Sequence, residues 1–138
     1  MFVRFQSAVP NRSGAHPGIF ALANGLASDE RLAVEDREWW TAANARAELL
    51  YADPTSVGAR VYDHEINPGA ASWFRESATE LLAMSRGYLD LLDRYAVPWV
   101  ELRTSTPGQI VYEDDVQVVT VPFKYPNDWP FDSPPPSR

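Results

Sequence analysis

The residues best equipped for chemistry stand together in Pro10-Asn11-Arg12-Ser13-Gly14-Ala15-His16-Pro17-Gly18. Arg12 offers a permanently charged planar fork, His16 a protonatable imidazole and Ser13 a hydroxyl. Set in front of a helix, whose first backbone N–H groups lack intrahelical acceptors, they suit a phosphate or a carboxylate. Gly14 and Gly18 would let such a ligand approach the backbone closely. The spacing matches neither a P-loop nor a dinucleotide fingerprint, and an ordinary surface loop would contain the same residues.

A second constellation is Tyr62-Asp63-His64-Glu65, in which His64 and its two acidic neighbours could supply an acid–base pair or part of a metal site. The chain has only two histidines and no cysteine, so no metal-ligand spacing is present and no metal site is expected. His64 is instead grouped with Arg12, Ser13 and His16 as a ligand-binding residue that folding would have to bring to the loop, along with Arg4. Glu113-Asp114-Asp115 lacks the alternating acidic loop of a calcium site and reads as hairpin-turn chemistry.

The elements that must position these groups follow from hydrophobic period and breakers. Phe2-Val3-Arg4-Phe5 reads as a short strand. Ile19, Leu22, Ala23 and Leu26 repeat at helical spacing, with Pro17 suited to the first helical position and Gly25 or Ser28 to the end. A second helix is expected from Val34 to Tyr51, with Trp40, Ala43, Ala47 and Leu50 on one stripe and Asp53-Pro54 as its stop. Its neighbouring Trp39 points elsewhere and is a candidate for a partner surface. Asn67-Pro68-Gly69 reads as the start of a third helix burying Phe74, Ala78 and Leu81, broken near Ser85-Arg86 by Gly87. A fourth then carries Tyr88, Leu91, Leu92 and Tyr95, with Asp90 and Arg94 paired on its outer side. Trp99 to Leu102 is a strand, and Gln109–Tyr112 and Val116–Val121 form a hairpin whose second strand is apolar enough to be central or covered on both faces.

The expected fold is therefore α+β: a small antiparallel sheet, built from the N-terminal strand and the C-terminal hairpin, packed against three to four helices. Residues 1–122 form one domain, and 123–138 a tail in which six prolines counted from Pro122 alternate with Phe123, Tyr125, Trp129 and Phe131.

The 138 residues suit one domain, and the −7 net charge disfavours nucleic acid and anionic membrane as partners. No apolar run reaches the ~18–20 residues of a membrane span. Lys124 is the only lysine, beside proline-rich sequence, which argues against Schiff-base chemistry. No cofactor fingerprint is present, and none is expected to be bound.

The stretch Val9 to Leu26 and the stretch Tyr112-Glu113-Asp114-Asp115-Val116-Gln117-Val118-Val119 resemble a family of small actinobacterial proteins with no assigned activity. That resemblance implies a cytoplasmic bacterial protein and carries over no catalytic residue. The leading reading is a non-catalytic domain that binds a protein partner or a small ligand. The alternative is an enzyme or sensor acting on an anionic small molecule at the Arg12/His16 loop. The tail's aromatics are expected to pack on this domain or on a second copy, giving a homodimer in the latter case. Truncation after Pro122 should then lower the melting temperature or the assembled mass; an unchanged melt and mass would mark the tail as a free linker.

Overall fold

The computed structural model describes residues 1–51, 53, 60–63 and 65–123. Five strands and three helices follow one another as β1 (Phe2–Ser7), α1 (Ile19–Ser28), α2 (Val34–Leu50), β2 (Ala71–Arg75), α3 (Thr79–Arg94), β3 (Trp99–Thr104), β4 (Gln109–Glu113) and β5 (Gln117–Val121). The strands make one antiparallel sheet in the order β3-β1-β2-β5-β4. The α+β class stands, but the sheet is larger than a strand plus a hairpin.

Strand alternation sorts the sheet into two faces. Val3, Phe5 and Phe74 turn toward the helices and join Ile19, Leu26, Leu81, Tyr88 and Leu92 in the core. Arg4, Gln6, Ala71 and Trp73 lie on the other face. β5 is central, as its sequence implies: Val118 and Val119 are both fully buried.

The expected third and fourth helices are corrected to a strand and one helix. Asn67-Pro68-Gly69-Ala70 closes on itself through Ala70 N–H to the Asn67 carbonyl, with Gly69 at φ +75°. Proline at the second position and a positive-φ glycine at the third are the signature of a type II turn, so the residues that suggest a helix cap make a reversal instead. The following Ser72, Trp73 and Phe74 enter the sheet opposite Val119, Val118 and Gln117.

Gly87 does not break α3. It sits where Trp39 of α2 presses against the helix: a Cβ there would lie 2.5 Å from Trp39 Cζ2. Trp39 also meets Tyr88 edge-on, with ring centroids 5.2 Å apart, and Tyr88 meets Phe20 of α1 at 4.6 Å. Trp39 thus packs against the core rather than offering a partner surface, while half-buried Trp40 donates its indole N–H to Asn24. Arg94 pairs with Asp36 at 2.8 Å instead of Asp90. The Tyr95 hydroxyl bonds the same carboxylate, and these two contacts hold Asp36 below the usual carboxylate range.

The Gly87–Trp39 contact yields a direct expectation. Gly87→Ala raises helix propensity yet overpacks the joint, and should cost about 1–3 kcal/mol of stability by chemical denaturation. Trp39→Phe in the same background should restore part of it; a Gly87→Ala protein more stable than wild type would refute the packing argument.

Candidate functional site

β1 and β2 pair over only two rungs, Phe2 with Arg75 and Val3 with Phe74. Beyond them the strands part. At Gln6 the neighbour of β1 is Gly18, and Ser7 N–H bonds the Pro17 carbonyl at 2.8 Å. This bridging draws Pro17 out of the helix, so α1 starts at Ile19 with Gly18 as its cap. The parting leaves a notch of about 400 Å³ on the helix-free face, lined by Arg4, Gln6, His16, Tyr62, Asn67 and Ala71 among others.

Arg4 spans the notch. Its Nε donates to Gln6 Oε1 at 2.8 Å, Nη1 to the Ser72 carbonyl at 2.8 Å and Nη2 to the His16 carbonyl at 3.0 Å. Burial lowers its pKa, leaving it ionised all the same. No ion pair among the described residues includes it. Charged groups taken from water are ordinarily matched by opposite charge, and among the described residues this one meets only neutral carbonyl and amide oxygens.

A second positive feature adjoins it. A Cβ at Gly18 would stand 3.6 Å from Arg4 Nη1, so the guanidinium lies at the N-terminus of α1. That end has no side-chain cap and no acidic residue in its first turn. The helix dipole places roughly half a unit of positive charge there. Cation and dipole end repel each other, and both attract an anion.

Of the other lining residues Gln6, His16, Tyr62 and Asn67 are polar, and Ala15, Ala70 and Ala71 are apolar. His16 Nδ1 lies 3.0 Å from the Ser7 carbonyl; since a carbonyl only accepts, Nδ1 carries the proton. Burial raises the Tyr62 phenol above its ordinary value, against a smaller opposing effect of the Ser72 side chain.

Of the described residues picked from sequence as ligand-binding, His16 lines the notch, together with Arg4, which the sequence offered as a group arriving from another segment. Arg12 is exposed and does not line it, and Ser13 bonds Asn11 Oδ1 through both N–H and hydroxyl. The loop is thus tied by Asn11, with Gly14 at φ +83°. His64 lies outside the described residues, as do residues 124–138 of the tail. Asp114 accepts from Val116 N–H, Gln117 N–H and Gln117 Nε2, which makes the acidic triplet a turn cap. Among the described residues no group of acidic or histidine side chains could hold a metal ion, and no helix is long and apolar enough to cross a membrane.

Arg4 enters through the charge it carries inside a strand of alternating apolar residues. Gln6 and Tyr62 carry no such signal and meet it only through the fold.

No family model, curated protein or solved structure matches the chain. The site's chemistry is accordingly read from its own geometry.

A carboxylate can be placed beside Arg4 by substitution. Gly18 has φ −71°, open to any L-residue, and a Cβ there meets only ordinary contacts. Gly18→Asp should cap α1 and pair with Arg4, raising the stability of the ligand-free protein by about 1 kcal/mol in a denaturant melt. A destabilised Gly18→Asp would show that guanidinium and helix end are already compensated.

Proposed function

We propose that this protein is a non-catalytic binding domain whose ligand is a small anion held in the notch between β1 and β2. The observation that carries the reading is Arg4, a half-buried guanidinium fixed by two backbone carbonyls and an amide, beside an uncapped helix N-terminus, with no acidic partner among the described residues. This relocates the anionic-ligand reading from Arg12 to Arg4 and keeps His16.

The chemistry of the walls favours recognition over turnover. Arginine does not exchange its proton in proteins, and the Tyr62 phenol is held toward its protonated form. His16 has Nδ1 committed to the Ser7 carbonyl, so a single ring nitrogen is left to meet a ligand. Fixed donors converging on one point, on a rigid strand and a helix end, are what a preorganised binding site requires.

The test is a thermal-shift and calorimetric titration with small organic anions. At a hundredfold excess over its dissociation constant a ligand adds about 2.7 kcal/mol of stability, a readily visible shift. The wild type should respond, Arg4→Lys should respond less, and Gly18→Asp, which carries its own carboxylate, should not respond. Equal responses in all three proteins would remove the notch from consideration.

A further inference from the structure

The hydrogen-bond inventory of the notch narrows the ligand. Arginine has five N–H donors. In Arg4 the Nε donor goes to Gln6, one Nη1 donor to Ser72 and one Nη2 donor to His16. Among the described residues two donors are left over, one on each terminal nitrogen of a planar group. That pair matches the two oxygens of one carboxylate. Gln6 uses its amide oxygen as acceptor for Arg4, and its NH2 has no partner among the described residues. It adds further donors at the same place.

His16 contributes the opposite polarity. With Nδ1–H donating to the Ser7 carbonyl, the neutral ring leaves Nε2 as a lone-pair acceptor with no partner among the described residues. The notch thus pairs a donor cluster built for an anion with one acceptor built for a neighbouring O–H or N–H. Charge points the same way: one guanidinium and a helix end of roughly half a unit balance a monoanion better than a phosphate monoester of about −1.5 to −2. Phosphate oxygens also accept rather than donate, and would set acceptor against acceptor at Nε2.

We infer that the ligand is a small monocarboxylate carrying a hydroxyl or amide N–H on the carbon beside the carboxyl, the carboxylate lying on Arg4 and Gln6 and the donor on His16 Nε2. This rests on the anion-binding reading of the notch given above. The volume of about 400 Å³ accommodates a ligand of that size.

The experiment is a calorimetric titration of the full chain in mildly alkaline buffer. The probes are propanoate, 2-hydroxypropanoate, N-acetylglycine and methyl phosphate. The expected result is that 2-hydroxypropanoate or N-acetylglycine binds roughly 3- to 10-fold more tightly than propanoate, the worth of one hydrogen bond. In His16→Asn, whose amide can still donate to Ser7 but offers nothing at Nε2, that ratio should fall to near one. Should this variant not fold, the wild-type His16 ¹⁵N spectrum decides: Nε2 should shift with 2-hydroxypropanoate and not with propanoate. Equal affinity for propanoate and its hydroxy analogue overturns the ligand class, as does a preference that survives in His16→Asn. Tightest binding by methyl phosphate with loss in Gly18→Asp overturns the class and leaves the anion site standing. Failure of every probe overturns both.

Discussion

The sheet is held across its weakest seam by one guanidinium. β1 shares a six-rung ladder with β3 but only two rungs with β2, and past those rungs the backbone groups of the parted strands need other partners. Arg4 reaches across to the Ser72 carbonyl on one side and the His16 carbonyl on the other. A shorter or neutral side chain could not satisfy both. The same placement that joins strand to strand leaves a positive charge facing a helix end, so the structural role and the binding capacity come from a single constraint. Loss of the charge would remove the ligand's anchor and leave two carbonyls without donors.

The helical layer is organised around Tyr88 in a comparable way. Phe20 of α1 and Trp39 of α2 both meet its ring edge-on, and its hydroxyl donates to Asn44. Gly87, one residue before it, lets the Trp39 ring close on α3. With α1 fixed in this layer and its cap residue Gly18 bridged to β1, the helix N-terminus is brought to the notch by core packing and by backbone pairing with β1.

Where pattern and packing agree, the sequence is readable. The apolar repeat of α1, the acidic first turn of α2, the β-branched run of β5 and the strand after Pro98 all appear where their periods put them. The failures have definite physical causes. Asn67-Pro68-Gly69 is equally good chemistry for a helix start and for a type II turn, and only the long-range pairing with β5 decides between them. Gly87 signals a break by propensity, but contact with Trp39 reverses its meaning. At the site, sequence locates the loop and His16 but puts the cation at Arg12, because proximity along the chain is the only distance it shows. Arg4 is twelve residues from His16 in sequence and hydrogen-bonded to it in space.

The position of β1 also governs the order in which the molecule can assemble. Phe2 pairs with Thr104 on one side and Arg75 on the other, so this internal strand finds both its partners far along the chain. Both joints close large loops, the slow kind of contact in folding. During synthesis β2 follows α1 and α2, and β3 follows all three helices, so the β3 edge of β1 is covered only once the helices are complete. The sheet is therefore completed only after all three helices, as β3, β4 and β5 follow in turn.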